Sequence, residues 1–246
     1  MSQFHFGAGV LYGRSLTNTP ATPVRFGALQ DVSIDFAFTT KELHGSYQFP
    51  LALGRGVGKV TGKANFAQFN AQAFNDLFFG LSNPATGETK TVVGEAATIT
   101  ANIVTAAHNT GVYVQDLGVV KASDGTVYTR VANSPVGQQY SCNETTGVYT
   151  FNNTQNAVAV LVSYQYTDAA NGKIITITNQ LLGNAPQFIG VFTSTFNGKQ
   201  ITLTLNACMS NKLTLATKLE DFTIPSFDFS AFADASNTIG TLSTDE

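Results

Sequence analysis

The side chains that most often bind metals or act as nucleophiles are few in this sequence and widely spaced. The chain has three histidines, His5, His44 and His108, and two cysteines, Cys142 and Cys208. No histidine has a cysteine or carboxylate at the spacing of a zinc site, which leaves open only the meeting of two histidines in space. Two cysteines make neither a disulfide framework nor a metal motif. The sequence therefore predicts no metal site and no cofactor, and both cysteines are interpreted as small buried or half-buried side chains.

Other catalytic patterns fail on spacing. Residues 54–59 (GRGVGK) resemble a phosphate-binding loop, but three residues instead of four separate the outer glycines, and Val60 stands where a serine or threonine would hold magnesium. The adjacent carboxylates Glu220 and Asp221 would point to opposite faces of a strand. The sequence has no Gly-x-Ser-x-Gly elbow. These observations predict that the protein is not an enzyme.

The charge content of the sequence is low. Charged residues make up 12% of the chain, where about 25% is usual in soluble globular proteins. Either hydroxyl side chains cover the surface, or much of the surface contacts other subunits, since interface cores are depleted in charged side chains. The net charge of −3 argues against general affinity for nucleic acid, which needs clustered lysine and arginine.

The N-terminal residues lack the basic leader and apolar run of a signal peptide. No stretch approaches the roughly 18 consecutive apolar residues of a membrane helix. We therefore expect the chain to be made inside the cell and not to insert into a membrane.

The most regular pattern lies between residues 188 and 218. Two runs of alternating apolar and polar residues flank Asn197-Gly198, and this dipeptide predicts a β-hairpin because both turn residues need positive φ. In the second run Leu203 and Leu205 alternate with Thr202, Thr204 and Asn206, which places the two sets on opposite faces of a sheet. The polar face is uncharged, so we expect it to meet something other than bulk water.

The first part of the chain predicts two strands and a helix. In residues 29–39 and 59–68 apolar and polar side chains alternate as in strands. The interval 41–59 between them is too long for a tight turn and too rich in apolar residues for a loop without a function. A helix is predicted over about 70–79, with Asn70 capping its start and Gly80 just past its end. Residues 1–28 are expected to run as an extended arm.

From residue 91 onward the sequence predicts β-structure. Turn dipeptides at residues 124–125, 146–147 and 171–172 (Asp-Gly, Thr-Gly and Asn-Gly) predict further hairpins. The tail after Ser226 has alternating phenylalanines and is then expected to end as a loosely held segment. Short strands at this spacing predict a mainly β fold, an antiparallel β-sandwich or barrel with one flanking α-helix.

Three stretches resemble a known family. They are the opening FHFGAGVLYG with FGALQDVSIDF and KELHGSYQFPLALGRGVGKVTGKANFAQFNAQAFNDLFFG, the middle DLGVVKASDGTVYTRV with GVYTFN and VSYQYTDAANGKIITITNQLLGNAPQF, and the close KLTLATKLEDFTIPSFDFSAFAD. In these stretches, which cover nearly the whole chain, the sequence is similar to the tail tube proteins of tailed bacteriophages.

The resemblance implies a structural virion protein. Residues 1–246 would form one tail-tube β domain that assembles into homohexameric rings, and the rings would stack into a tube that conducts DNA during ejection without binding it specifically. The resemblance implies contacts with other tail proteins (tip or baseplate, terminator, tape measure and, in a contractile tail, sheath). It also implies a location in the virion tail after assembly in the host cytoplasm. The region of about 91–156 exceeds the family's minimal core and is expected to be an outward-facing β elaboration.

The resemblance assigns roles to two groups of residues. The interval of about 41–59 matches a loop that contacts the next ring in such proteins, and it is expected to be mobile in an isolated subunit. Its candidate ring-stacking residues are Lys41, Glu42, Leu43, His44, Phe49 and Leu51. The uncharged face with Thr202, Thr204 and Asn206 is the candidate lining of the tube lumen.

Two alternatives from other classes remain open. A β-sandwich that binds carbohydrate or a cell surface would be a monomer or small oligomer with a platform of exposed aromatic side chains. A capsid decoration protein would bind preformed heads and would not polymerise with itself.

Overall fold

The structure, a computed structural model, describes residues 4–17, 21–68, 70–81, 84–217 and 219–245. It is mainly β, with antiparallel sheets and one short helical segment, so the predicted fold class is confirmed. The chain divides into two compact units. Unit 1 comprises Met1–Pro84 and Ile175–Glu246, and unit 2 comprises Ala85–Ile174. The elaboration expected at about 91–156 falls within unit 2, which begins and ends further out.

The described residues contain fifteen strands. They are β1 (Val10–Ser15), β2 (Val24–Arg25), β3 (Leu29–His44), β4 (Pro50–Phe66), β5 (Ala85–Thr98), β6 (Ile103–Thr105), β7 (Tyr113–Lys121), β8 (Thr129–Arg130), β9 (Gln139–Asn143), β10 (Val148–Phe151), β11 (Ala159–Ile174), β12 (Gln187–Phe196), β13 (Lys199–Thr214), β14 (Ser226–Phe232) and β15 (Gly240–Thr244).

Unit 1 is built on a single eight-stranded sheet. Its order is β2-β1-β12-β13-β14-β4-β3, and β15 pairs with β13 alongside β14. Each pairing is antiparallel. At one side of this sheet β3 is an edge strand sixteen residues long, which is far longer than the edges that proteins usually leave open.

One face of this sheet carries the core of unit 1, which is rich in phenylalanine. The buried members are Leu11, Phe26, Val60, Ala64, Phe66, Phe74, Leu77, Phe188, Leu205, Cys208, Phe227 and Phe229. The rings of Phe188 and Phe229 meet edge to face at 5.8 Å between centroids, a geometry that aromatic pairs favour. Gly62 is needed beneath Phe229, because a Cβ at residue 62 would overlap the phenylalanine ring.

The predicted helix is present, but its second half is π-helical. It consists of α1 (Ala71–Phe74) followed by a π-helical segment (Asn75–Phe79). The Asn70 side chain caps the start by accepting a hydrogen bond from the Gln72 amide at 2.9 Å, and Gly80 ends the segment in the left-handed region at φ 60°. Phe74 and Leu77 are buried in the core of unit 1. Both the predicted cap and the predicted stop are confirmed.

Unit 2 packs two small sheets around a core of its own. The sheet orders are β5-β11-β7 and β6-β10-β9-β8, with one short parallel pairing between β8 and β9. The buried residues are Ile99, Val104, Ala106, Tyr113, Val119, Tyr128, Tyr140, Tyr149, Phe151, Val160, Val162 and Tyr164. The two ends of unit 2 are neighbours, because Ala85 lies opposite Ile174 in the β5–β11 ladder.

Three of the four predicted turns are confirmed. Asn197-Gly198 connects β12 to β13 with Phe196 opposite Lys199, the chain reverses at residues 124–125 after β7, and Thr146-Gly147 connects β9 to β10. The predicted hairpin at Asn171-Gly172 is wrong. This dipeptide lies in an irregularity of the single long strand β11, whose ladder with β5 resumes at Lys173.

The expected ends of the chain also differ from the structure. The extended arm expected over residues 1–28 contains β1 and β2, which join the large sheet; residues 1–3 and 18–20 of that prediction lie outside the described residues. The tail after Ser226 begins as β14, and the loose end expected over residues 236–246 contains β15 instead; residue 246 of that prediction lies outside the described residues. Phe227 and Phe229 of β14 are buried, and β15 pairs with β13.

Candidate assembly surfaces

The interval expected to be a ring-stacking loop is instead the outer half of a long β-hairpin. β3 and β4 pair from Leu29 opposite Phe66 as far as His44 opposite Pro50, so only residues 45–49 connect them. Residues 35–59, called the arm from here on, are all exposed apart from Pro50, which is half-buried. The strands predicted to end at residue 39 and resume at residue 59 therefore continue through the interval.

The arm exposes large apolar side chains that its own unit does not cover. Tyr47 and Phe49 are 81% and 80% exposed, and Leu51 and Leu53 are each 68% exposed. β14, the other neighbour of β4, pairs with it only from residue 60 to residue 65, so the arm is a two-stranded ribbon. Because such a ribbon is marginally stable alone in water, the arm is a surface suited to packing against another molecule.

Both faces of the arm carry candidate residues. Leu43 lies opposite Ala52, and Lys41 lies opposite Gly54, while Glu42 on the other face lies opposite Leu53. His44 Nε2 lies 3.0 Å from the carboxylate of Glu42, and both side chains are half exposed. The arm thus contains all six predicted ring-stacking residues: Lys41, Glu42, Leu43, His44, Phe49 and Leu51. Their role in stacking remains a prediction.

Two aromatic residues of the arm were missed by sequence reasoning. Phe36 and Phe38 are 54% and 46% exposed, although alternation assigns them to the core side of β3. The guanidinium of Arg55 lies 3.4 Å from the centre of the Phe38 ring, a cation–π contact. For Phe38 the signal was the glycine opposite it: Gly58 pairs with Phe38 and gives it no side chain to pack against, whereas Phe36 lies opposite Val60.

The candidate lumen residues lie on the face of the large sheet that is opposite the core, here called the outer face. Thr202, Thr204 and Asn206 are all half-buried. Thr202 Oγ1 lies 3.2 Å from the hydroxyl of Thr193 on β12, and the Asn206 side-chain amide donates to Asp234 at 2.7 Å. The face is uncharged along this part of β13, as the sequence predicted, but Asn206 is occupied by a partner within its own chain.

Charge returns to the outer face on either side of these residues. Arg14 on β1 lines a shallow pocket of about 400 Å³ together with Thr204 and Asn206. Towards the other end of the sheet, Lys212 lies opposite Asp228, and Asp228 lies opposite Lys63. The uncharged region is therefore local, with opposite charges side by side beyond it.

The described residues contain no candidate metal centre. No three histidine, cysteine or carboxylate side chains among them are grouped so that they could hold a metal ion. Burial raises the pKa of Cys208 to about 12, which keeps its thiol protonated and unreactive at neutral pH. Both cysteines fit the buried or half-buried role expected of them.

No known family profile matches the chain, and no curated protein matches it.

Within the described ranges, none of the helices has the length and apolar character needed to cross a membrane.

Unit 2 contains a buried polar network that no pattern in the sequence indicated. The Asp116 carboxylate is 2% exposed, and it accepts hydrogen bonds from the hydroxyls of Tyr140 at 2.7 Å and Tyr149 at 3.2 Å. The hydroxyls of Tyr149 and Tyr113 lie 2.7 Å apart, and Arg130 lies 3.6 Å from Asp116. Because buried polar groups need partners, this satisfied network has the character of a structural core.

Proposed function

We propose that the protein is a structural subunit that assembles with copies of itself into stacked homohexameric rings and forms the tail tube of a bacteriophage. The arm is the observation that carries the proposal, because it presents apolar side chains on a ribbon that its own unit does not cover. The likeness of the sequence to tail tube proteins supplies the form of the assembly. The proposed protein is not an enzyme, and it requires no cofactor.

The open edge of β3 supports the same conclusion. Long uncovered strands invite pairing with another chain, and soluble proteins usually block them. β3 has a free edge over sixteen residues. A neighbouring copy that pairs with this edge would bury the hydrogen-bonding groups and would join sheets from successive subunits. Obligate contacts of this kind bury on the order of 2,000–5,000 Å².

The uncharged stretch of the outer face is the proposed lining of the channel. A tube that conducts DNA must not retain it, and each phosphate contact by lysine or arginine favours retention. Thr202 and Thr204 fit this requirement, whereas the exposed Arg14 beside them would add one positive charge per subunit if it shares the lumen.

Electron microscopy and light scattering of the purified full chain test the assembly. We expect rings or tubes above a threshold concentration in 0.15 M salt. A monomer at every concentration, with no rings in the micrographs, would contradict the proposal. Binding to preformed capsids without self-assembly would instead identify a decoration protein, and a monomer that binds glycans would identify a binding module.

Substitutions on the outer face test the channel. Thr202→Lys and Thr204→Lys should leave assembly intact and make the tubes retain duplex DNA at low salt, because each ring gains six positive charges. Thr150→Lys, at an exposed strand position of unit 2, is the matched control and should retain none. Equal DNA retention by the control and by the two outer-face variants would place this face elsewhere than the lumen.

A further inference from the structure

One edge of β13 pairs with β12, and its other edge pairs with two different strands, each along part of its length. β14 pairs with residues 207–214, and β15 pairs with residues 201–205. Both strands come from the C-terminal part of the chain, and residues 233–239 connect them. The two strands therefore pair with the same edge of β13, and the interactions that hold each of them there can be compared.

Burial holds β14 in place, but it does not hold β15. Phe227 and Phe229 of β14 are each 1% exposed. In β15, residues 241–244 are all exposed and Gly240 is half-buried. Leu242, its one large apolar side chain, is 64% exposed. Removing β15 from β13 would thus uncover little apolar surface of β15 itself.

Main-chain hydrogen bonds and two polar contacts secure β15. At one end the Asn206 amide donates to the carbonyl of Ile239 at 2.9 Å, while the Asn206 side chain donates to Asp234 at 2.7 Å. At the other end the Gln200 amide donates to the Asp245 carboxylate at 2.8 Å. Main-chain bonds carry no information about which copy supplies the strand, so a β15 from another copy could form the same ladder.

The apolar surface next to β15 is not sealed. A groove of about 320 Å³ runs along β15 on the core side of the sheet, lined by Phe36, Leu203, Leu205, Ile239 and Leu242. The side chains of β15 therefore leave apolar space open beside Leu203 and Leu205. The groove lies between β15 and Phe36 at the base of the arm, which is the surface proposed to contact the next copy.

We infer that β15 exchanges between copies of the chain during assembly, so that β15 of one copy pairs with β13 of its neighbour. This inference rests on the proposed self-assembly. Exchange of an identical element is a low-cost route to oligomers, because the β13–β15 ladder bonds broken in one copy are formed again in another. The seven connecting residues span up to about 23 Å when extended, and this length limits how far β15 can move from β14. The exchanged strand would link each subunit to the next by main-chain bonds.

Cysteine pairs distinguish an exchanged strand from one that stays in place. Ile201 lies opposite Thr244, and residues opposite each other in an antiparallel ladder lie within disulfide range. Ile201→Cys and Thr244→Cys are made as separate full-length variants, mixed, assembled and oxidised. We expect disulfide-linked pairs of the two chains to be the main product in the assembled fraction. Assembled particles without such pairs would overturn the exchange and leave the proposed function standing.

A second pair, on the strand that is held by burial, supplies the control. Met209 of β13 lies opposite Ser230 of β14. Met209→Cys mixed with Ser230→Cys should give no disulfide between chains, and the unsubstituted chain reports any background from Cys142 and Cys208. Equal cross-linking in both mixtures would show non-specific contact and would overturn the inference.

The double variant Ile201→Cys/Thr244→Cys tests whether exchange is needed. Oxidised as a dilute monomer, it locks β15 onto its own β13, and we expect its assembly to be at least ten times slower until a reductant is added. Assembly at the unsubstituted rate in the oxidised form would overturn the inference. A chain that never assembles and gives no disulfide between the single variants would overturn both the exchange and the proposed function.

Discussion

Unit 1 and unit 2 are both antiparallel β-structures, but they differ in where their apolar side chains lie. Unit 2 is described throughout, and every one of its phenylalanine and tyrosine side chains is buried or half-buried. Unit 1 has a buried phenylalanine core and also exposes aromatic residues from Phe4 to Phe232, most densely on the arm. Unit 2 exposes aliphatic side chains, among them Val93, Val127 and Val136, so the difference between the units lies in the exposed phenylalanine and tyrosine side chains, which only unit 1 carries.

The polar groups of the two units can be compared in their buried side chains and at their strand edges. In unit 2 the buried tyrosine hydroxyls find partners within the unit, as with Tyr140 and Tyr149 on Asp116. Open strand edges occur in both units: β3 of unit 1 and β5 of unit 2 leave main-chain groups without a strand partner along one edge, over sixteen and fourteen residues. Low overall charge therefore has two different origins in one chain: in unit 2 it accompanies a closed, tyrosine-rich core, and in unit 1 it accompanies surfaces proposed for contact.

The largest difference in assembly is expected between a chain without the arm and a chain without unit 2. Replacing residues 41–57 by a short Gly-Ser turn should leave a folded chain and reduce assembly to background, because the apolar contact surface is lost. Replacing residues 85–174 by a similar turn should preserve assembly, since Ala85 and Ile174 are already neighbours. Sedimentation and electron microscopy measure both outcomes.

Point variants sharpen the same test. Leu51→Ser with Leu53→Ser should weaken assembly, whereas Val93→Ser, at an 83% exposed position of unit 2, should not. Normal tubes from the chain without the arm would refute the contact role of unit 1, and failure of the chain without unit 2 would show that both units are required.

Removing a core side chain should separate the stabilities of the two units. Phe229 is 1% exposed and packs against Phe188 and Phe227, so Phe229→Ala should cost about 3–5 kcal/mol through lost burial and a cavity. Calorimetry should show a lower melting temperature for unit 1 and an unchanged one for unit 2. Phe49→Ala, at an exposed position, is the control and should change neither; an equal shift of both transitions would mean that the units melt together.

A smaller effect is expected from the polar core of unit 2. Tyr149→Phe removes the hydroxyl that contacts Tyr113 and Asp116 and leaves those buried groups with one partner fewer. The expected loss is about 1–3 kcal/mol, confined to unit 2 in denaturant unfolding followed by tyrosine fluorescence. Tyr166→Phe, at a half-buried residue, is the matched control. An equal loss of stability in this control would show that the network contributes no more to stability than a tyrosine hydroxyl outside it.

The response to high pH should also distinguish the two units. Burial raises the pKa of Tyr164 to about 12 and also raises the pKa values of Tyr140 and Tyr149. These tyrosines ionise more readily when unfolded, so their stabilising contribution is complete below about pH 10 and is lost as the pH rises towards the folded values. The loss is about 1.4 kcal/mol per pH unit for each tyrosine.

Absorbance of ionised tyrosine and circular dichroism between pH 9 and pH 12 follow this loss, which should occur in unit 2. Smooth ionisation near pH 10 without loss of structure would contradict the closed character of that unit.

Local chemistry accounts for what the sequence predicted correctly. The Asn197-Gly198 turn, the Asn70 cap and the left-handed Gly80 each depend on a few adjacent residues, and each is present. Asn171-Gly172 has the same turn chemistry, yet a bulge accommodates it as well as a hairpin does. What decides between the two is the long ladder of β11 with β5, whose partners lie about 80 residues away in the sequence.

Features without a local pattern could not be predicted. β15 has five residues with almost no burial, so no alternation of apolar and polar side chains marks it. The arm has glycines at residues 54, 56 and 58, which favour turns when considered alone, and only pairing with β3 makes them part of a strand. Leu43, Phe49 and Leu51 stood out as apolar residues in a glycine-rich interval, and they are exposed, but their contact role stays a prediction. The division into two units had no local signal, since the halves of unit 1 are 90 residues apart.

The adjacency of Ala85 and Ile174 has a consequence for the order in which the chain folds. Unit 2 consists of one continuous segment and can form as soon as it leaves the ribosome, whereas β1 must wait for β12 and β4 must wait for β14. Once unit 2 has closed, the loop between β1 and β12 is shorter by about half, which lowers its closure entropy by roughly 0.6 kcal/mol. By shortening this loop, the folded unit 2 would favour formation of the late-forming sheet. The arm is synthesised early, but it depends on that sheet at its base, so it would stay without a fixed anchor until most of the chain has been synthesised. This delay would restrain the proposed polymerisation while the chain is still on the ribosome.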